Sequence, residues 1–364
     1  MSNNLQDNRE KKGVSNTRNI ISIIFLSLVA IMALTFSIIL LIKNATLQRE
    51  EAAIRSELEA MDKEDVYTET EISSRIEEAK VEAAEKTEQS MRDDVRKMLE
   101  EGKGAAATIR AFFPDNIVVG SDGRYYFLPI SDKIAHHGFT EQDFELDDKG
   151  FLRYKGSDKS LKVKQGIDVS RFQGEIDWAQ VAKDGIEFAY IRVGYRGSTE
   201  GAITIDDTFE ANIQGAIENG IDVGVYFYSQ AINEEEALEE AKVVLETISQ
   251  YETKYPVVLD VESADSDAAR TNNLSSEQYE KVVDTFCKAI EDAGHKSMVY
   301  GNLKTFTLLV NAEHVDDKDI WIAYYDQPLY YPYYFNIWQY SSKGKVAGIE
   351  GNVDLNICLT EYGE

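Results

Sequence analysis

Two carboxylates two positions apart, Asp260 and Glu262, close the segment Tyr255-Pro-Val-Val-Leu-Asp-Val-Glu262. Residues i and i+2 of an extended strand point to one face, so the two acids project together. Their neighbours Val257, Val258, Leu259 and Val261 are those of a buried strand, where unpaired carboxylates are costly. Such a pair is either tied to lysine or loop amides, or kept for chemistry in which one carboxyl holds a proton and the other a charge. Asp168 and Asp354 sit on two further runs of the same kind. Tyr190, Tyr226, Tyr228, Tyr300, Tyr324, Tyr325 and Trp338 are spread over the others. Acids together with aromatic faces that stack on sugar rings make up the inventory of a glycoside hydrolase.

Other chemistries find no support. The sequence lacks GxSxG, GxxxxGK, GxGxxG and HExxH patterns, and no cofactor is expected. His136-His137 has no further ligand at metal spacing, and Asp265-Ser-Asp267 lacks the glycine and terminal glutamate of a calcium loop, so no metal is expected either. Cys287 and Cys358, the two cysteines, exclude a disulfide framework and a thiolate zinc site, and leave open whether they pair.

The elements that must position the acids lie between Lys164 and Glu364, where β-branched and aromatic runs alternate with amphipathic stretches, the pattern of a parallel α/β sheet. Eight such runs begin at Gly166, Phe188, Asp222, Pro256, Ser297, Ile320, Phe335 and Val353. Gly185, Gly220 and Gly294 follow amphipathic stretches as left-handed helix caps, and Ser275-Ser-Glu-Gln278 opens a helix as a capping box. Eight strands in about 200 residues predict an irregular (β/α) barrel with fewer helices than strands, since eight full repeats take about 250. The last three strands leave no room for crossover helices and are expected to close the barrel as an antiparallel segment. Catalytic groups of such barrels stand at the carboxyl ends of the strands.

Gly166-Ile-Asp-Val-Ser-Arg-Phe-Gln173, Tyr190-Ile-Arg-Val-Gly194, Val257-Val-Leu-Asp-Val-Glu262, Trp321-Ile-Ala-Tyr-Tyr325, Ile337-Trp-Gln-Tyr-Ser341 and Gly351-Asn-Val-Asp-Leu-Asn356 resemble the motifs of glycoside hydrolase family 25 lysozymes, over residues 165–364. The resemblance implies an N-acetylmuramidase cutting the β-1,4 bond between N-acetylmuramic acid and N-acetylglucosamine in peptidoglycan. It implies Glu262 as general acid and Asp260 as the ionised partner that assists the 2-acetamido group, with Asp168 and Asp354 around the cleft. Substrate contacts fall on Tyr226, Trp321, Tyr325, Trp338 and Gln339, joined by Tyr190, Tyr228 and Tyr300 from the aromatic set. Phe227 departs from the family, in which many members carry histidine. The competing readings are a barrel reduced to a wall-binding tether between membrane and peptidoglycan, and a hydrolase of another N-acetylated glycan.

The rest of the chain concerns placement. Across 364 residues, 38 Lys plus Arg against 65 Asp plus Glu give a net charge of -27, which rules out nucleic-acid binding by charge. Residues 1–19 read as a cytoplasmic tail and 20–42 as a transmembrane helix, an uncharged run long enough for a hydrocarbon core of roughly 30 Å. Arg9, Lys11, Lys12 and Arg18 precede it, so the amino end stays in the cytoplasm and the acidic body lies outside the cell. Residues 44–101, without Pro or Gly, predict a long helix. A narrow apolar stripe through Leu47, Ile54, Leu58, Ile72, Ile76 and Met91 suits either a parallel coiled-coil homodimer or a solvated spacer. Residues 102–164 read as a small β-rich module with turns at 120–123 and 147–150. Protease added to spheroplasts should remove the body beyond residue 43; full protection would contradict this topology.

Overall fold

The computed structural model describes residues 34–35, 37–56, 68–325 and 329–363. Most of the expected membrane span 20–42 lies outside them. Among the described residues no helix is long and apolar enough to cross a membrane.

The chain divides into two compact units, Met1–Asp94 and Val95–Glu364. Residues 37–56 are helical, and a second helix runs Glu69–Glu100. The expected continuous helix over 44–101 is interrupted at Thr68, a non-helical residue whose backbone N–H and hydroxyl donate to Glu71 Oε2 at 2.7 and 2.8 Å. That is a capping box, in which side chains satisfy amides that have no partner in the first turn. The helix ends before Gly102, which has a φ of 83°. It buries none of its residues.

Within the unit Val95–Glu364, after the end of the long helix, come a short helix, Ala105–Phe112, and two antiparallel hairpins. β1 (Asn116–Ser121) and β2 (Arg124–Pro129) are joined by Asp122 and Gly123 at φ 51° and 72°. This two-residue turn has the left-handed backbone that matches strand twist. β3 (Phe144–Leu146) and β4 (Leu152–Tyr154) form the second hairpin.

The eight strand-like runs become eight barrel strands: β5 (Lys164–Val169), β6 (Phe188–Arg196), β8 (Asp222–Ser229), β9 (Val257–Val261), β10 (Ser297–Asn302), β11 (Asp319–Ala323), β12 (Ile337–Gly344) and β13 (Val353–Cys358). The order β5-β13-β12-β11-β10-β9-β8-β6 closes through pairing of β5 with β6, and the short β7 (Ile203–Ile205) adds antiparallel to the end of β6. Four α-helices, Trp178–Asp184, Phe209–Glu218, Glu234–Ile248 and Ser276–Asp292, accompany the strands. Gly185, Gly220 and Gly294 adopt φ of 101°, 76° and 90° where expected, and Ser275 makes its capping box with Gln278. The expected antiparallel closure is corrected in part. β12 runs parallel to β11, and only β13 is antiparallel, to both β12 and β5. The segment between β11 and β12, whose described residues include no helix, is long enough to return the chain to the start of the sheet.

Alternation along the strands sorts the core. Val223, Val225, Phe227, Val257, Leu259, Val261 and Trp338 belong to the large buried cluster that includes the helices, whereas Phe188, Tyr190, Val258, Met298, Trp321 and Ile337 form a second cluster in the barrel interior. Two glycines make room for the large rings. A Cβ on Gly166 would lie 2.2 Å from the Phe188 ring, and one on Gly224 would lie 2.4 Å from that of Tyr190. Gly224→Ala should therefore lower the denaturant midpoint by about 1–3 kcal/mol of stability, as overpacking does; an unchanged midpoint would show that the interior yields.

Candidate active site

At the carboxyl ends of the parallel strands the barrel interior opens into a cavity of about 450 Å³. Asp168, Asp260, Glu262 and Asp354 all line it, with Tyr226, Tyr228, Tyr300, Trp321, Tyr325 and Gln339. Strand register brings the acids together. Asp354 of β13 stands opposite Asp168 of β5, and Asp260 of β9 stands between Tyr228 and Tyr300 of its two neighbours.

Asp168 is the best-held acid. Its Oδ1 accepts from Asn356 Nδ2 at 2.7 Å and from Gln339 Nε2 at 2.8 Å. Those amides are oriented in turn. Trp321 Nε1 donates to Asn356 Oδ1 at 2.8 Å, and the Tyr300 and Tyr325 hydroxyls both donate to Gln339 Oε1 at 2.8 Å. Burial raises the Asp168 carboxyl to about 6, against the pull of these two donors. Asp260 has no such help: Oδ1 is buried without a hydrogen-bond partner. Burial first, then the neighbouring Glu262 and Asp168, push its pKa well above the ordinary value. Glu262, just past β9, is raised to about 7 by burial, Asp168 and Asp265. Asp354 reaches about 8 through burial, Asp168 and Glu262.

In the free cleft, burial favours the neutral form of Asp260, the carboxyl expected from the sequence to be the ionised partner. Within the cavity the two amide donors favour charge on Asp168, whereas Asp260 has only the nearby Arg192 to oppose desolvation. Arg192 is itself committed, with Nε donating to Asp206 Oδ2 at 2.8 Å.

The strand end that carries Glu262 is pinned from two sides. Gln230 Nε2 donates to the Glu262 carbonyl at 3.0 Å, Gln230 Oε1 accepts from Thr271 Oγ1 at 2.9 Å, and Thr305 Oγ1 donates to the Val261 carbonyl at 2.8 Å.

Two expected substrate contacts are not in the cleft. Tyr190 points inward one layer below it, fully buried, stacked on Trp321 at 4.5 Å with its hydroxyl donating to Met298 Sδ. Trp338 adjoins the inward-facing Gln339 and so faces the other way, packing edge-on against Phe144 and donating to the Tyr324 carbonyl at 2.7 Å. Phe227 likewise faces outward, so its departure from histidine leaves the cleft unaltered. His136 and His137 bond backbone carbonyls of Ser131 and Tyr331. Cys287 and Cys358 are both buried free thiols.

Sequence reasoning missed Arg171, Phe172, Gln173, Arg192 and Tyr195, which also line the cavity, and Asn356, which orients Asp168. The i+2 rule finds two of them, because Arg192 follows Tyr190 and Asn356 follows Asp354 on the same faces.

The sequence and the fold are both similar to those of known proteins. The sequence profile of Glycosyl hydrolases family 25 matches residues 167–349. The uncharacterized protein YegX of Escherichia coli K12 is 34% identical over 201 residues, covering 53% of this chain and 68% of its own. Lysozyme M1 of Streptomyces globisporus is 30% identical over 203 residues, covering 53% of this chain and 66% of its own. The modular autolysin LytC from Streptococcus pneumoniae, solved with a synthetic peptidoglycan ligand, shares the fold with a TM-score of 0.50 and 24% identity; the match covers 66% of this chain and 51% of LytC. The chain belongs to glycosyl hydrolase family 25. It spans about half the length of LytC.

A raised carboxyl pKa makes the folded state hold its proton more tightly than the unfolded chain does. For Asp354, with an ordinary value of 3.8 and a folded value of about 8, the associated stability is present below the former and lost as pH rises through the latter. Asp354→Asn should thus gain in melting temperature relative to wild type between about pH 5 and pH 8; a difference constant with pH would refute the assignment.

Proposed function

We propose that this chain is a peptidoglycan hydrolase, an N-acetylmuramidase that cleaves the β-1,4 bond between N-acetylmuramic acid and N-acetylglucosamine. The observation that carries the reading is the cleft itself: four carboxyls and seven aromatic side chains converge in one cavity, and Glu262 is raised to about 7 with no lysine among the described residues of the lining. Family membership and the name of Lysozyme M1 support the substrate class.

In the proposed reaction Glu262, protonated near neutral pH, donates to the glycosidic oxygen as the bond to the anomeric carbon breaks. The sugar's 2-acetamido N–H meets Asp260 Oδ1, the buried oxygen without a partner. A hydrogen bond to the charged form favours it, so binding draws Asp260 towards the carboxylate and steadies the acetamido group as its oxygen attacks the anomeric carbon. Asp168, held by Asn356 and Gln339, supplies negative charge towards the developing oxocarbenium ion. Asp354, opposite it on β13, adds a further carboxyl at the rim.

The span 20–42 would anchor this domain outside the cell, supported by its length and the cations before it. Pairing of two copies along 44–101 is supported by the exposure of Ile72, Ile76 and Met91.

Glu262→Gln should reduce clearing of purified wall in a zymogram by about 10²–10⁴ while the melting curve stays cooperative. Wild-type kcat/KM should fall as pH rises through about 7. An unchanged rate in the variant would remove Glu262 as the acid, and wild-type retention on wall without clearing would favour a tether.

A further inference from the structure

A second cavity, of about 600 Å³, lies next to the catalytic cleft. One wall is the loop Ser263–Asp267, which starts at the residue after Glu262, and the other is the tip of the β1–β2 hairpin, with Asp122 and Tyr126. Lys304 and Tyr279 also line it. The two cavities adjoin electrostatically, since Asp265 of the second acts on Glu262 of the first.

The hairpin lies outside residues 167–349, which the family profile matches, and its second strand carries three aromatic residues in a row. Tyr125, Tyr126 and Phe127 are consecutive and 41%, 37% and 44% exposed. Phe127 packs on Phe113 at 4.6 Å, and Tyr125 approaches Gly120 of its own hairpin. Tyr126 makes neither contact and faces the cavity. The hairpin is also fixed to the barrel. The Tyr330 hydroxyl donates to the Asn116 carbonyl at 2.8 Å and accepts from the Val118 N–H at 3.0 Å. Arg110 donates to the Val118 carbonyl at 3.2 Å and to the Tyr324 hydroxyl at 2.9 Å.

The chemistry of the lining selects among the parts of a wall polymer. Asp122, Asp265 and Asp267 outnumber Lys304, so the cavity is rich in acceptors and repels the carboxylates of a peptide. A neutral sugar brings hydroxyl and amide donors for those acids and a ring face for Tyr126. The space is of the size that encloses a small ligand, roughly 300–1,000 Å³.

We propose that this cavity is a distal sugar-binding subsite, in which the amino-terminal hairpin holds N-acetylated hexosamine units of the same strand whose scissile bond lies over Glu262. The proposal rests on the hydrolase reading above. It makes the hairpin module part of the substrate groove and predicts a preference for long strands.

The test uses the detergent-solubilised full chain and N-acetylglucosamine oligomers of two to six units. In the Glu262→Gln background, affinity should rise with oligomer length. Adding Tyr126→Ala should weaken the longest oligomer about five- to ten-fold and leave the dimer unchanged. Asp267→Ala, on the opposite wall, should do the same should Tyr126→Ala disturb the hairpin's melting. Equal affinity for the longest oligomer in parent and both variants would overturn the subsite, even where the wild type clears wall. A wild type that clears no wall would instead overturn the hydrolase reading, which the binding series does not measure.

Discussion

Withdrawing carboxyl groups from water without giving each a cation is the constraint on which this structure turns. Asp168, Asp260, Glu262 and Asp354 share one cavity, and its buried guanidinium, Arg192, is already paired with Asp206. Like charges crowded into one partly buried site resist ionising together, so the group keeps protons at a pH where exposed carboxyls have lost theirs. Every tenfold gain in a carboxyl's proton affinity reflects about 1.4 kcal/mol lost by its charged form relative to its neutral one. The chain sets that cost against packing elsewhere, and Glu262 holds its proton towards neutrality.

The barrel supplies the means. Its interior is filled below the cleft by Phe188, Tyr190 and Met298, with Trp321 above them in the cleft lining and Gly166 and Gly224 leaving space for the rings. On that packed layer stand Asp168 and its amide partners, whose orientations are dictated by Trp321, Tyr300 and Tyr325. The aromatic residues therefore do two jobs: their rings form the wall of the groove and their polar atoms fix the hydrogen-bond direction around Asp168. A single antiparallel strand, β13, brings both Asp354 and Asn356 to the site. A second buried acid, Glu240, shows the contrast. It too is raised by burial, to about 7, yet Arg196 at 2.7 Å and Ser229 at 2.6 Å enclose it, and it is not part of the acid-lined cleft.

Much of this was legible in the sequence. β-branched and aromatic runs alternating with amphipathic stretches located all eight barrel strands, and glycines past those stretches located helix ends. What alternation does not reveal is depth. Tyr190 and Arg192 share a face, but the former lies a layer below the cleft that the latter reaches. Phase also had to be applied strictly: Trp338 and Gln339 are adjacent and cannot both face inward, just as Tyr325 lines the cleft while Tyr324 bonds Arg110 outside it. The protonation pattern was harder still, because it depends on which acid receives amide donors from distant strands. Asn356 and Gln339 lie far along the chain from Asp168, and nothing local to Asp168 announces them.

Difference infrared spectroscopy of the carboxyl groups reads the proton on Glu262 directly. The carbonyl band that disappears in Glu262→Gln identifies the side chain, and its intensity can be followed against pH in the wild type. This band should persist as the protonated acid up to a midpoint near 7. A midpoint near the ordinary 4.5 would mean that Glu262 is ionised at neutral pH and cannot be the donor.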